Sequence, residues 1–408
     1  MTATSVSVVV VSRGRPDDLV LCLQALEQQF YTNFEIVVVA DSPSMRQISL
    51  PDYVKAHAFD EPNVARARNL GIAKAAGEIV AFIDDDAVAE PNWLNHLVAP
   101  FAQDEVMASG GYVFGRNGIS YQWTGLSVDR EGWDHPLDHM DEAPAVFTTE
   151  RNGRAIRTQG TNMALSRQAL VDLGGFDPVF AFFHDDSDLN MRVAQAGGMT
   201  AIVPRALVHH RSAASTLRRP DRTPTDLGPI GAGRAAFHRK YLTPGEWARG
   251  REELWEAQHR RLCAFLVDGR CEPIDVERLL DSLLNGYDEG LLLDVGEQVT
   301  FPDPPPPFAR VSRDGSHSHH VLAGGRQDRA RLMREAASLR DQGARVSLLI
   351  LDRTSRFHAV RFADGVWEQS GGVFGKSLRS DRMFVRWVYE DRVARESERI
   401  RHLRTNLP

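Results

Sequence analysis

Cysteine is nearly absent from this chain: 408 residues contain three, Cys22, Cys263 and Cys271, far apart. That excludes a disulfide-stapled fold and a thiolate zinc site, and makes a reducing compartment the expectation. A basic surplus is lacking too. The formal net charge is −7, which argues against bulk nucleic-acid binding through an overall basic surface. No uninterrupted apolar run is long enough to span a bilayer. Met1-Thr2-Ala3-Thr4-Ser5 runs straight into a β pattern without the basic start of a signal peptide. A cytoplasmic protein is expected, at most peripheral at the inner face of the membrane. The G-x-G-x-x-G phosphate-binding fingerprint and internal repeats are both missing.

What is present starts with Ile79-Val80-Ala81-Phe82-Ile83-Asp84-Asp85-Asp86-Ala87. Five apolar residues make a buried parallel-type strand, and three carboxylates stand at its end. Adjacent like charges need a counter-charge, and Mg²⁺ or Mn²⁺ with oxygen ligands would supply it while holding phosphate oxygens. Ligands of open α/β sheets sit at the carboxyl ends of strands, where these aspartates fall. The plain alternative is a solvated acidic turn before a helix beginning near Glu90-Pro91.

The surrounding pattern alternates strands and helices, which predicts β-α-β units and a mostly parallel sheet. Strands are expected over 6–11, 34–40 and 54–59, and helices over 17–29 and 63–76. From Ser109 to Arg157 the pattern loosens into part strand and part mobile loop, with acidic and histidine residues around Asp134 to Glu142. Gln159 to Leu165 re-enters the sheet, and a helix follows over 167–173. Phe182-Phe183-His184-Asp185-Asp186-Ser187-Asp188 opens a helix to Gln195. Its three carboxylates exceed what capping requires. Short strands are expected over 200–203 and 206–208, the latter ending in His209-His210. Residues 233–289 read as mainly helical, and Phe301 to Pro307 as a stiff extended spacer. A small α/β unit is expected to follow, with strands over 319–323, 346–351 and 357–362 and a helix over 328–342. An Arg-rich last helix is expected over 382–404.

These motifs, in this order, resemble the inverting glycosyltransferases of family 2, with the GT-A fold. Ser7 to Pro16 resembles the family's opening strand and its Arg-Pro turn, and Phe34 to Ser42 its strand ending in aspartate. Asn63-Val64-Ala65-Arg66-Ala67-Arg68-Asn69 resembles its Ala-Arg-Asn helix, and Asp84-x-Asp86 its metal motif. Gly174-Gly175-Phe176-Asp177 followed by Asp185-Asp186-x-Asp188-Leu189 resembles its catalytic-base region. Val11, Arg13-Gly14, Ala40 and Asp185 depart from the family pattern. The resemblance implies an α/β fold with a GT-A type nucleotide-binding, mixed, mostly parallel sheet flanked by helices. A helical segment and a small C-terminal α/β domain follow. The implied domains are 1–217 (donor half about 1–110, acceptor half about 111–217), a helical extension over 218–300, a Pro-rich linker over 301–310 and the small domain over 311–408.

The resemblance also implies roles. Asp41 would accept a hydrogen bond from the nucleobase. Ser12, Arg15 and Arg68 would sit near base or diphosphate, and Asp84 and Asp85 would serve ribose and metal. Asp86 would be the principal metal ligand, with Asp84 and His210 completing the set, and His209 would face the other side of its strand. Asp186 would be the base, Asp185 the second candidate, and Asp188 a structural helix-start residue. Gly160, Thr161 and Asn162 would border acceptor and donor sugar. Trp123, Trp133 and Tyr121 would stack on a sugar face or pack a loop core. The implied reaction is metal-dependent (Mn²⁺ or Mg²⁺) inverting transfer from a nucleotide-sugar donor, UDP first, to a glycan, lipid-linked or small-molecule acceptor. Two other readings compete: a sugar-1-phosphate nucleotidyltransferase, and a non-catalytic carbohydrate-binding or scaffold protein. The first would need a glycine-rich basic loop near residue 12, where only Gly14 stands. The Arg-rich last helix is expected to be solvated or to form a homodimer rather than meet a membrane. The Ser316-His317-Ser318-His319-His320 tract is read as an exposed linker.

Overall fold

A run of valines opens the chain's first strand. The computed structural model describes residues 3–137, 146–148 (backbone only), 153–213, 217–311 and 318–406, and in it β1 spans Val6–Ser12. Val6, Val8 and Val10 face one layer of the core and Val9 the other, all of them buried. Burial on both faces is why the apolar residues run without alternation. α1 (Pro16–Leu26) carries proline, Asp17 and Asp18 in its first turn, where all three suit a helix start. Then come β2 (Phe34–Ala40), the single turn α2 (Ser42–Met45), β3 (Val54–Ala58) and α3 (Val64–Lys74). The Asn63 side chain caps α3 by accepting from Arg66 N at 2.9 Å. β4 (Ile79–Asp84) is the central acidic strand.

Beyond it the chain forms β5 (Ala87–Ala89), α4 (Trp93–Val98), β6 (Val106–Phe114) and β7 (Tyr121–Trp123). Next are β8 (Leu126–Val128), β9 (Asp134–Pro136), β10 (Val146–Thr148), β11 (Ala155–Arg157) and β12 (Asn162–Ser166). α5 (Arg167–Asp172), α6 (Asp185–Gln195) and β13 (Met199–His210) complete this unit. The ten-stranded sheet has the order β10-β13-β6-β12-β4-β1-β2-β3, with β5 on β13 and β7 on β6. β1 runs parallel to β2 and β4, and β6 parallel to β13, while β12 is antiparallel between β4 and β6. The expected mixed, mostly parallel sheet flanked by helices is therefore what forms.

One consequence of this order builds the site. The carboxyl ends of β1, β2, β4, β6 and β13 share one edge, and the amino end of antiparallel β12 meets them there, with Asn162 opposite Ile83. Two expectations change. A strand, β5, precedes the helix expected near Glu90, and that helix begins at Trp93. The two short strands over 200–208 are one, bent by an irregularity between Val203 and Leu207 where Pro204 interrupts the ladder. The loosened stretch holds the short strands β7 to β11; residues 138–142 of its acidic part lie outside the described residues.

The helical extension is α7 (Gly228–Tyr241), α8 (Trp247–Val267) and α9 (Pro273–Gly290). α7 and α9 approach so closely that a Cβ on Gly231 would overlap Leu283 O, and one on Gly286 would overlap Gly228 O. The proline-rich segment is strapped down rather than spaced out. Val311 N donates to Phe34 O at 2.9 Å, Ala309 N donates to Glu35 Oε2 at 2.8 Å, and Phe301 packs on the core.

The C-terminal unit comprises β14 (His319–Gly324), α10 (Arg329–Asp341), β15 (Arg345–Asp352), β16 (Ala359–Ala363), β17 (Val366–Gly372) and α11 (Tyr389–Arg404). Its sheet order is β14-β15-β17-β16. The last helix starts seven residues later than the expected 382, and its charges are not simply solvated. Arg392 and Glu396 are buried and pair with each other, and Arg404 is buried against Glu90 of the N-terminal unit. His319 and His320 lie in β14 rather than in a linker, and 316–317 lie outside the described residues.

Burial pushes His96, His238 and His319 down to about 4 and holds His184 well below its ordinary value. All four are neutral in the folded protein at neutral pH. Below about pH 6.5 the unfolded chain binds protons that these folded sites refuse, so stability should fall as pH drops from about 6.5 to 4. The urea midpoint measured across that window should fall steadily; a flat or rising midpoint would contradict the burial of these rings.

Candidate active site

The three aspartates after β4 take three different environments. Asp84 ends β4, and Asp85 and Asp86 form the turn that leads into β5. Asp85 is fully buried, and its Oδ1 lies 2.6 Å from Arg15 Nη2. Burial pushes its carboxyl up, against Arg15. Asp86 meets Arg15 Nη1 at 3.1 Å and accepts from Ala213 N at 2.8 Å. Burial would raise Asp86, but His210, Arg15 and the Ala213 N–H hold it well below the usual carboxylate range. Asp84, the most exposed of the three, accepts from Thr161 Oγ1 and lies 3.3 Å from Arg68 Nη2.

His210 completes this side. β13 lies antiparallel to β5 with His210 opposite Ala87, which brings its Nε2 to 3.1 Å from Asp86 Oδ1. The Nδ1 faces Gln122 Oε1 at 3.2 Å, and the Trp123 ring stacks on the imidazole with centroids 5.6 Å apart. A carbonyl oxygen only accepts, so Nδ1 carries a hydrogen, which leaves Nε2 either to donate a second proton to Asp86 or to coordinate a cation. Asp86 Oδ1 is buried 3.1 Å from Nε2, so a cation or a second imidazole proton must lie between them. One donor atom each from Asp84, Asp86 and His210 lies within 4.8 Å of the others. Two hard oxygens and an imidazole fit Mn²⁺ or Mg²⁺.

The second acidic cluster begins at a backbone irregularity. His184 has φ 68°, a left-handed conformation costing about 1–2 kcal/mol for a residue with a Cβ, and it turns the chain into α6. Its ring is fixed by Arg234 Nε, 3.0 Å from Nε2. Asp185 is buried and ion-paired with Arg68; burial pushes its carboxyl up, with Arg68 opposing. Asp186 accepts from Gly160 N at 3.2 Å and from Arg157 Nη2 at 3.4 Å. Asp188 is fully buried against Lys240, Arg192 and the Tyr241 hydroxyl, a structural position as expected.

The two clusters face each other across a very short bridge. Arg68 pairs with Asp84 of the first and Asp185 of the second. Consecutive residues make the same link, since Gly160 N donates to Asp186 and Thr161 Oγ1 to Asp84.

Other predicted residues fall at measured distances from this centre. Ser12 is buried against Asp85. Asp41 caps α2 and accepts from Gly14 N at 2.7 Å and Ser44 Oγ at 2.6 Å, so its oxygens already shape the loop that carries Arg15. Asn162 does not border the site. It is fully buried, its amide donates to Tyr112 O and Ala206 O, and its Oδ1 accepts from Trp93 Nε1, which consumes its polar atoms in the core. Trp133 packs under the Arg234 guanidinium at 4.2 Å, and Tyr121 stacks on Phe114. Arg66 is a half-exposed helix charge beside Glu61. Sequence reasoning missed Arg157 and Gln122. The carboxylates of Arg157 lie 23 and 29 residues away, and no local pattern signals such pairs.

Residues 7–163 match the family described as Glycosyl transferase family 2. The O-antigen biosynthesis protein RfbC of Myxococcus xanthus is 29% identical over 311 residues, 72% of this chain and 23% of that protein. The glucosyl-dolichyl phosphate glucuronosyltransferase of Haloferax volcanii is 28% identical over 190 residues, 42% of this chain and 55% of that one. The pre-mycofactocin glycosyltransferase of Mycobacterium tuberculosis is 28% identical over 189 residues, 43% of this chain and 37% of that protein. This chain thus spans roughly a quarter to a half of the length of these relatives. A crystal structure of GalNAc-T7 with UDP, GalNAc and Mn²⁺ aligns at TM-score 0.43 and 19% identity, over 62% of this chain and 54% of that one. Among the described residues no helix is long and apolar enough to cross a membrane.

Gly160 tests the tightness of the bridge. A Cβ there would lie 2.7 Å from Arg68 Cζ, and Arg68 cannot retreat without leaving Asp84 or Asp185. Gly160→Ala should lower stability by about 1–3 kcal/mol in urea titration; an unchanged midpoint would show that the guanidinium is free to move.

Proposed function

We propose that the protein is a metal-dependent inverting glycosyltransferase that moves a sugar from a nucleotide-diphosphate sugar, with UDP the first choice, to an acceptor hydroxyl. The observation that carries this reading is the bridge just described, which sets a cation-ready group (Asp84, Asp86, His210) opposite a second carboxylate, Asp186. A donor would lie along the carboxyl edge of β1, β2 and β4. Ser12, Arg15 and Asp41 would form the floor at the nucleoside end, Arg68 and Asp85 the electrostatic support, and Gly160 and Thr161 the rim beside the sugar. Asp84, Asp86 and His210 would hold the ion, which when bound supplies positive charge for the departing diphosphate.

Asp186 would take the proton of the acceptor hydroxyl, with Asp185 as second candidate, while the hydroxyl oxygen bonds to the anomeric carbon. The carbon–oxygen bond to the diphosphate breaks with its electron pair leaving on the diphosphate, so attack is in line and the anomeric centre inverts. Arg157 and the Gly160 N–H orient the Asp186 oxygens for that transfer. Trp123, stacked on His210, stands where a ring can cover a sugar face. Relatives named for O-antigen biosynthesis and as a glucosyl-dolichyl phosphate glucuronosyltransferase support a setting in glycan or surface polysaccharide assembly, with work done on the cytoplasmic side.

Two variants test the roles separately. Asp186→Asn should reduce sugar transfer or donor hydrolysis by about 10²–10⁴-fold while keeping the rise in melting temperature that UDP and Mn²⁺ give together. Asp86→Ala should lose that metal-dependent rise. Wild-type turnover in Asp186→Asn, or an equal UDP response without metal, would contradict the proposal.

A further inference from the structure

The C-terminal unit reaches the candidate metal centre through a buried relay. β5 is three residues long and lies antiparallel on β13, with Ala87 opposite His210 and Val88 opposite His209. A carboxylate flanks it at each end. Asp86 lies 3.1 Å from His210 Nε2, and Glu90 lies 2.8 Å from His209 Nε2. So short a strand has few ladder bonds of its own with which to hold register.

The Glu90 end is held from the far end of the sequence. Arg404, the last residue of α11, places Nε and Nη2 each 2.8 Å from the two Glu90 oxygens, and the side chains are 3% and 1% exposed. Trp367 of β17 closes the side, its ring 5.1 Å from His209 and 4.2 Å from the Arg404 guanidinium carbon. Asn92 N donates to Leu403 O at 3.0 Å, and its amide donates to Thr405 O at 2.7 Å, tying the same helix end to the segment that follows β5. A buried ion pair is weak evidence of added stability, since apolar groups of like volume often serve as well; its best-attested use is to fix register. A two-pronged guanidinium–carboxylate contact fixes orientation as well as distance.

We infer that Arg404, backed by Trp367, is a positioning residue for the metal centre. By pinning Glu90 and His209 it sets β5 on β13, and so sets the approach of Asp86 to His210. This rests on the reading that Asp84, Asp86 and His210 hold a divalent ion. It gives residues 318–406 a part in the reaction although every proposed ligand comes from the N-terminal unit.

The test is Mn²⁺ binding alone, by calorimetry or by the loss of the free-ion EPR signal, on the full chain without donor or acceptor. Arg404→Gln should weaken Mn²⁺ binding roughly 10- to 100-fold, as loss of outer-shell support does elsewhere, in protein shown folded by near-UV circular dichroism. Arg404→Lys should recover part of the loss. Should Arg404→Gln not fold, Glu90→Gln, of the same size, is expected to weaken binding in the same direction. A merely structural Arg404 would lower the melting temperature and leave the affinity of the folded protein unchanged; that result overturns the inference and leaves the proposed function standing. A wild-type protein that takes up no Mn²⁺ or Mg²⁺ overturns both.

Discussion

Three adjacent carboxylates at the end of a buried strand cannot coexist uncompensated. At about 4 Å, with an effective dielectric near 20, two like charges repel by about 4 kcal/mol. The fold answers with cations from distant segments. Arg15 reaches from the loop after β1 to Asp85 and Asp86, and Arg68 from α3 to Asp84, while His210 at the end of β13 lies 3.1 Å from Asp86. Arg68 is shared with Asp185, so neutralising the first cluster also draws in the second. The site is therefore assembled by the same electrostatics that let the strand fold.

That arrangement is also why the site has chemistry left in it. Asp85 is fully buried beside Arg15, and Asp188 is buried against Lys240 and Arg192; both belong to the framework. Asp86 Oδ1 and His210 Nε2 instead meet at 3.1 Å, a gap that a proton or a metal ion can fill, and Asp86 is held ionised by His210, Arg15 and a backbone N–H. Asp186 keeps modest contacts, at 3.2 Å from Gly160 N, 3.3 Å from Ser187 Oγ and 3.4 Å from Arg157 Nη2.

Much of this was readable in the chain. The acidic triplet after five apolar residues, the Arg-Pro turn and the Asp185-Asp186 helix start are local patterns, and topology brings their ends to one edge. His210 was named from its place in the family pattern, with strand alternation setting His209 on the other side. Asn162 misled because its neighbours Gly160 and Thr161 do line the site, while its own amide turns inward to Trp93 and two carbonyls that no local pattern reveals. α11 misled for a related reason. Interleaved arginines and glutamates look the same in sequence whether water or a protein core neutralises them, and here Glu90 and Glu396 do so from within. β5, three residues long, is visible only through its partner β13.

The account therefore turns on what lies between Asp84, Asp86 and His210. The most direct measurement is pulsed EPR of Mn²⁺ bound to the full chain, which detects nitrogen coordinated to the ion. The account predicts one imidazole nitrogen coupling in the wild-type protein and its loss in His210→Ala. A bound Mn²⁺ with no nitrogen coupling, or with a coupling that survives His210→Ala, would contradict it.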